Sequence, residues 1–355
     1  MNGIDDVQQQ ERICIIDVNN MDIGLKVLFT SKADYCVINQ EPELQWYKHE
    51  AYNRLGFTPI VLQPGSIMPK SYDTIYIIYP LIHSYVGSSS FLEKFNNWWL
   101  LMLELFRNGN IRMNDGGKMK IIDNYDYNYC PINDINIQYP KDVVANCNFT
   151  TSFYKRNKSK NGSYSPMVKP FPFIIFGYQS LIDVLLDGYK IDNSGWKLNK
   201  LFFYGAFLVH NDPIYGVFIN RKSIIDKILH RFAGTNLIEI SGPKYGFEQY
   251  IYKMSQYKFA LDLLGVGEPN KRTFEILSCN TLMISQKGNL DWGFEDGDDF
   301  LEETIFSGDN IDELFYKMQN LINNDALYNK CLQNQIYLRE KYMSRDALIR
   351  RLSID

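Results

Sequence analysis

One segment of the chain combines glycines and adjacent basic residues at spacings that suit the binding of a phosphate. Within residues 257–285 the chain carries Gly265 and Gly267, followed by Lys271 and Arg272. The glycines let backbone N–H groups approach a ligand closely, and a helix that begins near residue 271 directs its positive end into the same space. Basic side chains in a first helical turn oppose the helix dipole unless an anion lies between them. The segment therefore predicts an anion site that suits a phosphate.

Two further residues of the predicted helix belong to the same predicted site. Glu275 lies on the helix face of Lys271 and Arg272, where its carboxylate reaches past a diphosphate towards ribose hydroxyls. Thr273 lies in the first turn and is included among the predicted donor-binding residues. An ordinary surface ion pair between Lys271 and Glu275, with glycines that only make a turn, is the alternative interpretation.

Two common nucleotide-binding motifs each fail at one residue. A P-loop needs Gly-Lys-Ser/Thr, whereas this chain reads Asn270-Lys271-Arg272-Thr273, and the dinucleotide fingerprint GxGxxG lacks its third glycine at Asn270. The dinucleotide motif also follows the first strand of a domain, whereas these glycines follow roughly the third strand of the second domain. A nicotinamide-dependent oxidoreductase is therefore a disfavoured alternative.

Alternating apolar runs and helix-like stretches predict the first domain. Because parallel strands are buried on both faces, the alternation predicts a parallel sheet between two helical layers. The predicted strands are 12–18, 34–38, 58–62, 74–79 and 119–122, and the predicted helices are 44–55 and 91–106. We place this domain at 1–145 and a connector at 146–195, where a polar basic loop and two prolines interrupt the pattern.

The same alternation resumes after the connector and predicts a second doubly wound domain. We place it at 196–330, with C-terminal helices at 331–355. The predicted strands are 200–204, 237–240, 259–263 and 281–285, and the predicted helices are 214–232, 246–254, 271–278, 309–323, 325–342 and 345–352. The fold class is therefore α/β, with two Rossmann-like doubly wound domains.

Charge and hydropathy disfavour several classes of protein. The 37 basic and 41 acidic residues give a formal charge of −4, which does not supply the positive field that nucleic-acid binding needs. No apolar run approaches the roughly 18 residues of a membrane span, and acids and glutamines stand where a signal peptide needs basic and apolar residues. Six scattered cysteines are typical of reduced thiols. We expect a cytoplasmic protein with no nucleic-acid partner and no membrane span.

The segment 257–285 and the helical tail resemble the C-terminal half of GT-B glycosyltransferases, nearest to the exostosin, CAP10-like and CgeB-like groups. The resemblance rests on a strand, a glycine turn, Arg272-Thr-Phe-Glu275, a small-residue turn ending at Asn280, and a further strand, and it covers about residues 200–350. It implies two Rossmann-like domains that face each other across a cleft. It also implies a UDP- or GDP-sugar donor, with the diphosphate on Arg272 and the ribose on Glu275, and a glycan or protein acceptor.

The same resemblance implies no permanently bound cofactor and no metal ion, because helix dipoles and basic side chains hold the diphosphate in such enzymes. Gly205, after the strand 200–204, is predicted to face the donor, and His210 and Arg221 are predicted to contact its sugar or phosphates.

A catalytic base is needed only if transfer inverts the sugar configuration. The candidates lie at or after the carboxyl ends of predicted strands of the first domain, and they are His83, Asp17 and Asp123. A retaining enzyme would need none of them. A non-catalytic binding or scaffold protein with the same fold and a nucleotide-sugar epimerase remain alternative functions.

Overall fold

The chain divides into two compact units, which are described separately below. The first comprises Met1–Asn124, Cys130–Lys155 and Tyr164–Lys169, and the second comprises Tyr125–Tyr129, Arg156–Ser163 and Pro170–Asp355. The computed structural model describes residues 11–17, 24–29, 32–38, 58–68, 70–79, 97, 100–123, 150–155, 168–170, 197–207, 209–212, 217–264, 271–288 and 292–353.

A seven-stranded sheet forms the first unit, with strand order β3-β2-β1-β4-β5-β6-β7. The strands are β1 (Ile13–Asp17), β2 (Ala33–Val37), β3 (Ile60–Val61), β4 (Ser71–Tyr79), β5 (Arg112–Asp123), β6 (Thr150–Lys155) and β7 (Val168–Pro170). Strands β1 to β6 pair in parallel. The described helices are α1 (Gly24–Phe29) and α2 (100–107). This arrangement confirms the predicted parallel sheet.

The core of the first unit lies where α2 packs against the central strands. Its apolar side chains are almost wholly buried and include Ile16, Ile75, Ile77, Met102 and Ile121. The predicted helix 91–106 is confirmed over its described part, whereas the predicted helix 44–55 lies outside the described residues.

Part of the predicted connector belongs to the sheet of the first unit. Strand β6 pairs with β5, and β7 stands next to β6 at the sheet edge. The expectation that prolines exclude regular structure here is wrong for Pro170, which ends β7. The physical reason is that an edge strand tolerates proline, because its outward N–H group needs no partner.

A second parallel sheet forms the second unit, with strand order β11-β8-β12-β13-β14. Its strands are β8 (Leu198–Tyr204), β11 (Ile238–Ser241), β12 (Tyr257–Asp262), β13 (Leu282–Gln286) and β14 (Ile305–Phe306). The helices are α3 (Arg221–Arg231), α4 (Phe247–Ser255), α5 (Lys271–Ser278), α6 (Ile311–Asn323), α7 (Asp325–Leu338) and α8 (Arg345–Ser353). The predicted second doubly wound domain is therefore confirmed in its elements.

Alternate residues of each central strand point to opposite helical layers. On one face, Leu201 and Phe259 pack in one core with α3, α6 and the start of α7. On the other face, Phe202 stacks with Tyr250 of α4, at a distance of 6.3 Å between ring centroids. Helices cover both faces, which explains the continuous apolar runs of these strands.

The predicted helix 214–232 is half correct. Its first part is instead a strand of an antiparallel hairpin, in which β9 (Val209–Asp212) pairs with β10 (Val217–Asn220). The helix α3 begins only at Arg221, because Asn220 caps it: the Asn220 side chain accepts a hydrogen bond from the Ser223 N–H at 2.9 Å. A cap residue has non-helical backbone angles, so the helix cannot extend towards the hairpin.

The C-terminal helices match the predicted ones closely but differ at their ends. The helix predicted at 309–323 begins at Ile311, because Asn310 caps α6 by accepting a hydrogen bond from the Glu313 N–H. The predicted helix 325–342 ends its α-helical part at Leu338, and a π-helical turn continues over Arg339–Met343.

Substitution of Asn220 by alanine is expected to lower the free energy of unfolding by about 1 kcal/mol, because the first turn of α3 loses its side-chain acceptor. Urea denaturation followed by circular dichroism measures this change. The matched control is Asn220→Asp, which keeps the acceptor and should retain the wild-type value. An alanine variant as stable as the wild type would contradict the role of the cap.

Candidate functional site

The order of the strands defines where a ligand crevice can form in the second unit. From β8 the chain first adds β11 on one side and then β12 on the other. In open parallel sheets, ligands bind at such a reversal, beyond the carboxyl ends of the strands. The carboxyl ends of β8 and β12 are therefore the expected ligand edge of this sheet.

Arg272, in the first turn of α5, lies against the end of β8. Its Nη2 donates to the Tyr204 carbonyl oxygen at 2.6 Å, and its Cζ lies 4.3 Å from the centroid of the Phe203 ring. The aromatic face stabilises the guanidinium through a cation–π interaction. The structure thus brings Arg272 to the topological reversal, where the anion site is predicted.

Gly205 provides the space that the Arg272 guanidinium occupies. Its φ of +154° lies in a region that residues with a side chain rarely adopt. A Cβ atom at this position would overlap Nη2 of Arg272 and lie 3.0 Å from Cζ. Gly205 therefore lies directly beside Arg272, and its predicted position facing the donor stays a prediction.

Arg221, the first residue of α3, holds the end of β12 from the other side. Its Nε donates to the Leu264 carbonyl at 2.7 Å and its Nη2 to the Leu263 carbonyl at 3.1 Å. Burial, followed by the positive charge of Arg272, lowers the pKa of Arg221 to about 10, whereas the Asp262 carboxylate opposes the shift. Two guanidinium groups therefore lie close enough to repel each other at the same sheet edge.

Helix ends add to this positive field. Neither α3 nor α5 has an acidic residue in its first turn, where a carboxylate would balance the helix dipole. At the carboxyl end of α5, by contrast, basic side chains balance the helix dipole. Lys197 Nζ donates to the Asn280 carbonyl at 2.7 Å, and Arg339 Nη1 donates to the Leu277 carbonyl at 3.0 Å. Asn280 has a φ of +48°, as expected for a residue that replaces glycine in this turn.

Glu275 lies one turn into α5 and is buried, with 7% of its surface exposed. Its Oε2 accepts a hydrogen bond from the Tyr250 hydroxyl at 2.8 Å, and Tyr250 stacks on Tyr204 with ring centroids 4.8 Å apart. Burial and the Glu275 charge raise the pKa of Tyr250 well above its usual value. The carboxylate is therefore held in one orientation, and its contact with ribose stays a prediction.

Thr273 bonds within the protein core in this structure. Its hydroxyl donates to Asp262 Oδ2 at 2.6 Å, and only 1% of its surface is exposed. The bond ties the first turn of α5 to the end of β12. A ligand contact of Thr273 stays a prediction, and the observed role of its side chain is to position the helix.

Several predicted site residues have only their backbone described. Lys271 begins α5, His210 lies in β9 and Asp123 ends β5, but their side chains lie outside the described residues. Gly265, Gly267 and His83 lie outside them altogether.

Asp17 ends β1 in the first unit and is fully buried, where its Oδ2 accepts a hydrogen bond from the Tyr35 hydroxyl at 2.8 Å. Asp17 pairs in register with Ile78 of β4, and Asp123 pairs with Tyr79 of the same strand. Two of the three catalytic candidates therefore end strands on either side of β4. Their catalytic roles stay predictions.

Sequence reasoning missed the residues that act through distant partners. The Tyr204 hydroxyl accepts hydrogen bonds from the N–H groups of Lys244 and Tyr245 and donates to the Tyr245 carbonyl at 2.7 Å, so it holds the segment that precedes α4. Tyr250 and Asp262 likewise bond to predicted site residues. The sequence could have indicated Tyr204 and Asp262, because each ends a strand that flanks the topological reversal.

Two features are absent from the described residues. None of the helices there combines the length and apolar character that crossing a bilayer requires. In the same part of the chain, no three His, Cys, Asp or Glu side chains cluster in a way that could hold a metal ion. The absence of a required metal stays a prediction.

Comparison with known proteins bears on the fold. No protein-family model matches the sequence, and no curated protein matches it. Among solved structures, the chain is similar to an α-glucosyltransferase in complex with UDP-glucose and DNA containing an abasic site, with a TM-score of 0.50 and 12% identity over 96% of this chain and 98% of that one. The chain has the GT-B fold. At this identity the likeness extends to the fold alone.

Other solved structures of similar fold have lower scores. The α,α-trehalose 6-phosphate synthase from Burkholderia multivorans gives a TM-score of 0.47 at 7% identity, over 97% of this chain and 96% of that one. The sucrose-phosphate synthase from Thermosynechococcus elongatus gives 0.45 at 10% identity, over 96% and 97% of the two chains. The finer resemblance of this GT-B chain to the exostosin, CAP10-like and CgeB-like groups stays a prediction.

Proposed function

We propose that the protein is a glycosyltransferase that moves a sugar from a UDP- or GDP-sugar to a glycan or protein acceptor. The observation that carries the proposal is the pair of neighbouring guanidinium groups, Arg221 and Arg272, at the topological reversal of the second sheet. The Asp262 carboxylate favours the charged form of Arg221, but burial and the Arg272 charge outweigh it, so a further anion at this edge would stabilise both cations. A nucleotide diphosphate is an anion of suitable size and charge for two arginines and two helix ends.

The same groups serve the chemistry of sugar transfer. When the bond to the anomeric carbon breaks, negative charge develops on the leaving diphosphate, and preorganised positive groups stabilise it. With a pKa of about 10, Arg221 remains a cation at neutral pH. Arg272 is held in place before the donor arrives by Tyr204 and Phe203, so little reorganisation is needed during the reaction.

The donor assignment has support from a protein of similar fold. The α-glucosyltransferase to which the chain is similar was solved with UDP-glucose, which favours a UDP-sugar. That protein was also solved with DNA, but the net charge of −4 disfavours a nucleic-acid acceptor here. We assign the ribose to Glu275 and keep Gly205, His210, Gly265, Gly267, Lys271 and Thr273 as proposed donor-site residues.

The acceptor side of the reaction is proposed to lie in the first unit. Strands β1 and β5 end in Asp17 and Asp123, and His83 follows β4 in the chain. If the reaction inverts the sugar configuration, one of these three deprotonates the acceptor hydroxyl. We propose that the enzyme needs neither a metal ion nor a permanently bound cofactor.

Arg272→Gln is expected to weaken nucleotide binding roughly ten- to hundredfold, because a charge-assisted hydrogen bond contributes about 1.5–3 kcal/mol. The measurement is a thermal-shift titration with UDP, GDP, CMP, NAD and ATP. A nucleotide at 100 times its dissociation constant stabilises the folded state by about 2.7 kcal/mol, which gives a visible shift. The matched control is Lys200→Gln, because Lys200 is a half-buried cation near the start of β8 that bonds to Asn236, away from the carboxyl end of the strand.

The outcomes separate the candidate functions. Stabilisation by UDP or GDP that is lost in Arg272→Gln and kept in Lys200→Gln supports the donor site. No shift with any nucleotide would favour the scaffold alternative, and a shift with NAD alone would contradict the proposal. Release of the nucleotide from a nucleotide sugar only when an acceptor is added would distinguish transfer from epimerisation.

A further inference from the structure

Gln286 is a buried polar side chain at the carboxyl end of β13. It is not among the residues that are proposed to bind the donor or to take part in the transfer. Its Oε1 accepts a hydrogen bond from the Leu264 N–H at 3.2 Å, and its Nε2 donates to the Gly308 carbonyl at 2.6 Å. Only 7% of its surface is exposed. The amide therefore bonds to the chain that follows β12 on one side and to the chain that follows β14 on the other.

The strand order shows that these two bonds extend the pairing of β13 with both of its neighbours. Strand β13 lies between β12 and β14, and parallel pairing ends at Asp262 on one side and at Phe306 on the other. A side-chain amide has a donor and an acceptor like a peptide unit, so Gln286 continues the ladder beyond the last strand residues. It does so at the edge where the donor is proposed to bind.

Leu264 is held by side chains at both of its backbone polar groups. Gln286 accepts from its N–H group, and Arg221 Nε donates to its carbonyl at 2.7 Å. The next residues, 265–270, are the predicted glycine turn and lie outside the described residues. Leu264 is thus fixed at both of its backbone polar groups, and its carbonyl orients the Arg221 guanidinium.

We infer that Gln286 is a positioning residue of the donor site: by holding Leu264, it places the Arg221 guanidinium for binding of a nucleotide diphosphate. This inference rests on the proposed function. It concerns a residue that contacts neither Arg272 nor Glu275 among the described hydrogen bonds, and whose effect on the ligand passes through Leu264.

The chain contains a matched control for this inference. Gln335, on α7, is also buried, accepts a hydrogen bond from the Met283 N–H at 2.8 Å and donates to the Thr281 carbonyl at 2.8 Å. It therefore makes the same two types of backbone bond as Gln286, but to residues at and just before the amino end of β13, away from the carboxyl edge. Loss of either amide leaves one backbone donor and one backbone acceptor without their partner.

The experiment compares Gln286→Met with Gln335→Met in the full chain. We expect both variants to melt at lower temperature than the wild type, because each loses two buried hydrogen bonds. Only Gln286→Met should raise the dissociation constant for UDP or GDP, by roughly three- to tenfold, as expected when a positioning bond of about 1 kcal/mol is lost. In the absence of nucleotide, hydrogen exchange should become faster in peptides that contain Leu264 in Gln286→Met, and in peptides that contain Met283 in Gln335→Met.

The outcomes distinguish this inference from the proposed function. A wild type that binds nucleotide and a Gln286→Met variant that binds it equally well would overturn the inference alone. An equal loss of affinity in both variants would also overturn it, because the effect would then come from general destabilisation. A wild type that binds none of the nucleotides would refute the proposed function and, with it, the role of Gln286 in donor binding.

Discussion

Gly205→Ala is expected to reduce nucleotide affinity by roughly tenfold, because the new methyl group takes the space of the Arg272 guanidinium and displaces it. The end of the arginine side chain must shift away from the Tyr204 carbonyl and the Phe203 ring, which weakens both contacts that hold it in place. The backbone angle of +154° adds strain of about 1–3 kcal/mol, which lowers the free energy of unfolding as well. Isothermal titration with UDP and GDP, together with urea denaturation, measures the two effects.

Gly234→Ala is the matched control for this substitution. Gly234 also has a positive φ, of +79°, but no atom lies within 4 Å of a Cβ placed there. Its alanine variant should lose stability through backbone strain, by about 1–2 kcal/mol, and keep the wild-type affinity. Gly205→Ala with unchanged affinity would show that the position of Arg272 does not matter for binding.

The free energy of unfolding is expected to fall steeply above pH 10, because buried tyrosines of the second unit must keep their protons in the folded state. Burial raises the pKa of Tyr328 to about 12, and burial with the Glu275 charge raises that of Tyr250 further above its usual value. In the unfolded chain these hydroxyls ionise near pH 10, so the unfolded state then binds fewer protons and stability falls as pH rises. Each such group contributes about 1.4 kcal/mol per pH unit until its folded-state pKa is reached.

Urea denaturation between pH 8 and 12 tests this dependence. The variant Tyr328→Phe should lose about 2 kcal/mol less than the wild type between pH 10 and 12, because one titrating group is removed and each state is only half titrated at its own pKa. Tyr316→Phe is the control, because Tyr316 is 62% exposed. Lys197 has the opposite effect at lower pH. Burial lowers its pKa to about 8, so between about pH 8 and 10.5 the unfolded state binds more protons and the free energy of unfolding rises with pH. A Tyr328→Phe variant with the wild-type pH dependence would contradict the prediction.

Most elements of the second unit were predictable because their signals are local. The helix predicted at 271–278 is observed at Lys271–Ser278, and the strand predicted at 259–263 is observed at Tyr257–Asp262. Buried parallel strands have continuous apolar runs, and helices begin and end at residues with known preferences. The β9–β10 hairpin was missed because the apolar spacing of residues 214–220 is also compatible with a helix, and the pairing that decides between them involves β9.

The structure gives the predicted site residues partners that the sequence did not predict, and their roles in binding stay predictions. Arg272 is at the predicted sheet edge, but its contacts with Tyr204 and Phe203 were not predictable from its helix. Arg221 was predicted to contact phosphate, and the structure shows two of its N–H groups on the Leu263 and Leu264 carbonyls. These partners depend on which strands are neighbours in the sheet, and this order is not a local property of the chain.

By itself, the sequence determined an α/β chain with two parallel sheets and a basic first turn of α5 that follows a glycine-rich segment, because strand, turn and helix preferences act over a few residues. Only the tertiary structure decided that Arg272 lies against Gly205, that Arg221 and Gln286 hold Leu264 from opposite sides, and that Tyr250 orients Glu275. The physical reason is separation along the chain. Arg272 lies 68 residues from Tyr204 and Arg221 lies 43 residues from Leu264, and the strand order of the sheet alone brings such pairs together.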